Sequence, residues 1–173
     1  MIAVRLLAPT DAAALGDFLA AAHDHAPTAE LFHPHPLTRE FAVELCGKLP
    51  AIKDRYFALF VGDRVAGYAM LRGWDEGYQV PSFGICVHPA LQNAGVGHLL
   101  TTFGIEESKR AGAEKMRLTV YKRNERAAHL YAKYGFVFAE KDADSWVGVL
   151  DLTASVPIPH READTAKLLA WAS

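Results

Sequence analysis

The stretch Val87-His88-Pro89-Ala90-Leu91-Gln92-Asn93-Ala94-Gly95-Val96-Gly97 links a β-rich run, Ser82 to His88, to a segment whose apolar residues Val96, Leu99, Leu100 and Phe103 recur at helical spacing. Pro89 stops the strand, and two glycines stand where the next helix opens. Unpaired N–H groups at a helix N-terminus lie at the positive end of its dipole and bind anions. Glycine lets a phosphate come close to the backbone. Two better-known phosphate loops are excluded. A P-loop needs Gly-Lys-Ser/Thr, but Gly97 is followed by His98 and Leu99. A dinucleotide fingerprint needs a third glycine where Leu100 stands, and it belongs to an early strand. What remains is an anion cradle of a third kind, or a plain strand-to-helix turn.

Upstream, Val4 to Leu7 is a short strand, and Thr10 and Asp11 can cap the helix whose apolar face is Leu15, Phe18, Leu19 and Ala22. The run Phe32-His33-Pro34-His35-Pro36 cannot be helix, because each proline biases its predecessor toward extended backbone. Thr38, Phe41 and Leu45 begin a second helix, ending near Leu49-Pro50. Tyr56 to Val61 and Val65 to Leu71 flank Gly62-Asp63-Arg64 as a hairpin. Downstream come a strand Met116 to Tyr121 and a helix capped by Asn124, carrying Ala127, Leu130, Tyr131 and Tyr134 on one side and ended by Gly135. Strands Phe136 to Ala139 and Trp146 to Leu152 follow. The order β-α-α-β-β-β-α-β-α-β-β demands a mixed sheet with helices on its faces. Residues 1–153 form a single domain on this reading. The extension 154–173 holds Pro157, Pro159 and a short helical pattern at Leu168, Leu169 and Trp171, with no role assigned.

The whole composition narrows the function. With 173 residues, 51% hydrophobic and 22% charged, the chain reads as one ordinary globular domain. A net charge of -2 argues against a general nucleic-acid binder, and no apolar run is long enough to span a membrane. The start lacks the basic front of a signal peptide, so a cytoplasmic protein is expected. Cys46 and Cys86 have no metal-type spacing and read as reduced, buried thiols.

The run Val87-His88-Pro89-x-x-Gln92-x-x-Gly95-x-Gly97, followed by Asn124-x-x-Ala127-x-x-Leu130-Tyr131-x-x-Tyr134-Gly135-Phe136, resembles the two signatures of the GNAT superfamily of N-acyltransferases. Together they cover about a third of the chain. The resemblance implies a mixed α/β fold with a central, mostly antiparallel sheet of about seven strands flanked by about four helices. It implies acetyl-CoA as co-substrate and direct acetyl transfer to an amine, with no metal expected. The absence of a Gly-x-Ser-x-Gly elbow agrees with transfer that forms no acyl-enzyme. By resemblance, Gln92, Gly95, Val96 and Gly97 hold the pyrophosphate, Ile85 and Val87 offer backbone amides to the thioester, and Asn124 meets the pantetheine or nearby atoms. Eight basic residues between Lys109 and Lys133, against Glu114 and Glu125, suit a ligand with several phosphates. Of these, Arg123 and Arg126 lie nearest the Asn124 cap and are the candidate phosphate contacts.

Direct attack needs an amine that loses its proton, a stabilised oxyanion and a proton for the departing thiolate. The family motif gives the last role to Tyr131, whose phenol stays protonated at pH 7; Tyr131 also fits its helix's apolar stripe. The strand from Ser82 to His88 carries no acid, so the base is sought in the preceding loop, with Glu76 ahead of Asp75. Trp74 and Tyr78 flank these acids and could sheath a cationic amine. The His33/His35 pair lacks a third metal ligand in register. The acceptor is read as a small primary amine of amino-sugar, polyamine or amino-acid type. Protein or peptide N-acetylation and a non-catalytic acetyl-CoA-binding regulator stand as alternatives. Monomer and homodimer both stay open.

Overall fold

Short polar caps set the helix ends. Thr38 Oγ1 accepts from Phe41 N at 3.1 Å and opens α3 (Arg39–Lys48). Asn124 Oδ1 accepts from Ala127 N at 3.3 Å and opens α5 (Glu125–Lys133), which stops where Gly135 takes a φ of 91°. The computed structural model describes residues 1–173. Before α3 come β1 (Ile2–Leu6), α1 (Ala12–Asp24) and α2 (Ala26–Leu31); β2 (Arg55–Val61), β3 (Arg64–Arg72) and β4 (Ser82–Val87) follow it. Next are α4 (Val96–Arg110) and β5 (Lys115–Tyr121), and after α5 come β6 (Val137–Glu140), β7 (Ser145–Asp151) and α6 (Thr165–Ala172).

The seven strands form one mixed sheet in the order β1-β2-β3-β4-β5-β7-β6, antiparallel except between β4 and β5. Alternation along β2 assigns the faces: Phe57, Leu59 and Val61 join the core under α4 and α5, while Tyr56, Ala58 and Phe60 join the core under α1 and α3. Being buried on both faces, β2 reads as an unbroken apolar run. Leu15, Phe18, Leu19 and Ala22 of α1 are all buried, as their spacing predicts. One short helix, α2, adds to the four expected around the sheet, α6 forms where the pattern of Leu168, Leu169 and Trp171 implied a short helix, and β1 begins two residues earlier than expected. No helix is long and apolar enough to cross a membrane.

The parallel pair β4–β5 is joined at one position only, Ser82 opposite Arg117. Beyond it β4 pairs with β3 and β5 with β7, so the two strands part toward their C-terminal ends. That splay organises the site.

Candidate active site

Backbone alternation decides what faces the splay. Pro81 O accepts from Arg117 N at 3.0 Å, pointing toward β5, whereas His88 N donates to Ala66 O at 2.9 Å, pointing toward β3. Peptide groups alternate sides along a strand, so Ile85 and Val87 direct theirs into the gap, where no strand meets them. Their half-buried side chains lie on the α4 face, in the same wall as Gly97. A Cβ added to Gly97 would stand 3.2 Å from Leu130 Cδ2, 3.6 Å from Ile85 Cδ1 and 3.9 Å from Val87 Cγ2. These four residues pack together as an apolar cluster between the splay and the helix opening.

Gly95 does a different task. It caps α4 with φ 83°, a left-handed conformation that side chains resist, and a Cβ there would lie 2.9 Å from Ala163 Cα. The extension beyond residue 153 therefore straps the outside of the glycine loop. Asp164 N donates to Ala94 O at 3.0 Å, Arg161 Nη2 to Asn93 O at 3.0 Å and Lys167 Nζ to Gln92 O at 3.1 Å. Leu168 of α6 is fully buried and anchors the strap in the core. Three carbonyls of the loop are thus engaged from behind, and the N–H groups that open α4 keep no partner outside their helix. Arg126 comes to this loop as well, donating to Gln92 Oε1 at 2.8 Å. Arg123 does not: it binds Glu30 O at 3.3 Å and holds the end of α2.

Tyr131 is buried on α5 against Phe83 and Phe136, with ring centroids 6.2 and 5.6 Å apart. Burial raises its pKa well above the ordinary phenol value, and the nearby Cys86 thiol adds to the rise. Its hydroxyl binds no other residue. Because no fully buried side-chain polar atom lacks a partner, that oxygen must open to solvent. Tyr134, one turn on, is structural: its hydroxyl bonds His98 O at 2.9 Å and Thr102 Oγ1 at 3.0 Å. Cys46 and Cys86 are free and buried, and burial pushes the Cys86 thiol up to about 12.

Across the sheet from α5 lies a cavity of about 480 Å³ lined by Pro34, Met70, Arg72, Glu76, Tyr78 and Arg117 among others. Glu76 is exposed on its wall and makes no ion pair. Asp75 is not free. Its carboxylate accepts from Lys53 N at 3.0 Å and Asp54 N at 2.9 Å, while Asp54 Oδ1 accepts from Gly73 N and Trp74 N at 2.9 and 2.8 Å. This reciprocal clasp fixes the loop, and the hydrogen bonds to Asp75 hold its carboxyl below the usual range. Trp74 turns into the core beneath Arg55 and leaves Tyr78 as the loop's aromatic at the cavity.

The Phe32–Pro36 segment closes the same face. His33 Nε2 and Tyr121 Oη lie 3.0 Å apart, so the segment reaches across to β5. His35 Nδ1 is 2.9 Å from Pro36 O, which can only accept, so the ring's proton sits on Nδ1. Nε2 then accepts from Tyr68 Oη at 3.2 Å, and burial lowers the His35 pKa. The two histidines serve different tyrosines, and no group of His, Cys, Asp and Glu is arranged to hold a metal ion. Arg72 has no signal in the sequence, and Arg117 counts there only among the eight basic residues suited to phosphates, whereas it lines this cavity. Only the alternation of Arg117 with Met116 and Leu118 hinted that it faces the open side.

The Acetyltransferase (GNAT) family pattern matches residues 19–136, and the chain belongs to that family. No curated protein matches it in sequence. Among solved structures it is similar to a GNAT-family acetyltransferase from Streptococcus pneumoniae, with 22% identity, TM-score 0.72 and coverage of 91% of this chain and 99% of that one. It is similar to yncA, a putative acetyltransferase from Salmonella typhimurium solved with its cofactor acetyl-CoA, at 20% identity and TM-score 0.71, covering 87% and 94% of the two chains. A third is the spermidine N-acetyltransferase from Vibrio cholerae in complex with CoA and spermine, at 18% identity and TM-score 0.72, covering 88% and 96%. At these identities the likeness is one of fold.

Proposed function

We propose that the chain transfers the acetyl group of acetyl-CoA directly to the primary amine of a small molecule. The observation that carries this reading is the convergence on one splay of three groups. They are the unpaired peptide groups of Ile85 and Val87, the anion-binding start of α4 and the free hydroxyl of Tyr131. Residues fit the co-substrate along its length. The amides opening α4 at Val96 and Gly97, with Gln92 and Arg126, suit a pyrophosphate. The apolar surface of Ile85, Val87 and Leu130 beside Gly97 suits a narrow pantetheine arm, while Asn124, which the resemblance sets near that arm, caps α5. Bound there, acetyl-CoA supplies an activated acyl carbon.

The amides of Ile85 and Val87 donate to the acyl oxygen as it gains charge. Tyr131 gives its proton to the departing sulfur. The phenol holds its proton at neutral pH, and the departing CoA thiolate is a more basic acceptor for it than the water that otherwise meets the hydroxyl. Glu76, the free carboxylate on the cavity wall, takes the proton from the amine through water.

Two measurements test the reading. Acetyl-CoA should raise the melting temperature, and CoA thiol should appear when amines are added. No stabilisation at millimolar acetyl-CoA would remove the donor substrate and with it the proposal. Stabilisation without thiol release on any amine would point to a coenzyme-binding regulator instead.

A further inference from the structure

The cavity beside the splay carries a charge pattern that narrows the acceptor. Arg72 stands opposite Ser82 in the β3–β4 ladder, and Ser82 stands opposite Arg117 across β4–β5. Residues directly opposite one another share a sheet face, so Arg72, Ser82 and Arg117 form one transverse row. The two arginine backbones are ~10 Å apart, twice the spacing of neighbouring strands, with a serine hydroxyl between them. All three side chains line the cavity.

Neither guanidinium meets a carboxylate. Arg72 donates one hydrogen bond, to Pro34 O at 3.3 Å, and Arg117 donates none to the protein. A guanidinium has five N–H donors in a planar fork, so most of this capacity faces the cavity unspent. The acids that could neutralise the pair are engaged elsewhere: Asp54 and Asp75 clasp each other's loops. Glu76 is the remaining carboxylate on the wall, so the cavity carries two unpaired cations against one anion.

Such a site repels a polyamine and attracts an oxyanion. Resting on the acetyltransferase reading above, we propose that the acceptor is an amine bearing its own oxyanion, of amino-acid type. Arg72 and Arg117 grip the oxyanion over Ser82 while the amine lies toward Glu76 and the splay. Phe83 follows Ser82 on β4, borders the cavity and touches the Tyr131 ring, so an acceptor anchored on this row ends close to the transfer site. Charge-assisted, bidentate contacts of this kind are stronger and more selective than neutral ones. The spermidine enzyme therefore shares this fold without sharing, on this reading, the charge of its acceptor site.

The test compares L-amino acids with their α-amides, phosphoethanolamine and spermidine, with CoA thiol release as readout and thermal melting as the check on folding. The expected result is kcat/KM at least tenfold higher for the amino acids than for their amides or spermidine. Arg72→Gln and Arg117→Gln should each shrink that ratio, through KM for the acceptor and not for acetyl-CoA. Phosphoethanolamine outrunning every amino acid overturns the amino-acid assignment; the reverse upholds it. Amides or spermidine acetylated as well as amino acids, or a ratio untouched in both variants, overturns the proposal. If acetyl-CoA binds but no amine is acetylated, the transfer reading fails and the cavity is judged by calorimetry on the CoA-loaded protein. Amino acids binding at least tenfold tighter than their amides, with loss in the arginine variants, upholds the anion site. Equal or absent binding sinks it.

Discussion

On the proposed reading, the two ends of β4 recognise their ligands by different means. At the C-terminal end the groups that matter are backbone: the peptide groups of Ile85 and Val87, the open start of α4, and glycines whose lack of a Cβ permits close approach. At the head of the strand they are side chains on three strands and a loop, Arg72, Ser82, Arg117 and Glu76. Backbone recognition constrains residue types at fixed spacing, because only glycine takes φ 83° cheaply at the cap of α4. Side-chain recognition constrains only what meets in space. One end can therefore stay constant while the other changes its ligand.

If that division holds, each end should respond in its own kinetic constant. The largest expected effect lies between them. Tyr131→Phe should lower kcat by about a hundredfold or more, the usual worth of a positioned acid, with both KM values kept within about twofold. A fall in acetyl-CoA affinity instead would make Tyr131 a binding residue. Next, Gly95→Val should raise KM for acetyl-CoA about tenfold and leave KM for the amine alone. It forces a branched residue into a left-handed conformation, costing ~1–2 kcal/mol, and drives a methyl toward Ala163 Cα. A change in the amine's KM would show that the ends are coupled. A smaller effect is expected from Arg126→Ala, a two- to fivefold rise in KM for acetyl-CoA that fades at high salt.

The pH profile supplies the mildest signal. In its proposed role Tyr131 acts in its protonated form, and burial raises its pKa, so that form persists to higher pH than for a free phenol. The rate should climb as the amine loses its proton and show no descending limb below about pH 10, the ordinary phenol value. A basic limb near pH 8 that vanishes in Tyr131→Phe would contradict the raised pKa.

How far these features could be read from sequence follows the same division. Caps at Thr38 and Asn124, the stop at Gly135 and the apolar face of α1 are local, and each stands where its residue types imply. The helix α2 was not expected: six residues with Pro27 at the start hold too few turns for periodicity to register, although proline suits a first turn. The splay depends on which strands pair and for how long, so no motif announces it. The arginine row exists only once the β3–β4–β5 register is known. Asp75 and Trp74 show the opposite failure, since residue types suited to a site prove to serve the loop's own clasp and the core.

The strap across the glycine loop has a consequence for how the protein is made. Residues 92–97 leave the ribosome well before residues 161–168, whose hydrogen bonds and buried Leu168 back the loop. A nascent chain whose sheet has already formed still presents an unsupported loop until residues 161–168 emerge from the exit tunnel. On the proposed reading, full competence to hold the coenzyme comes only once residues 161–168 have emerged and docked behind the loop.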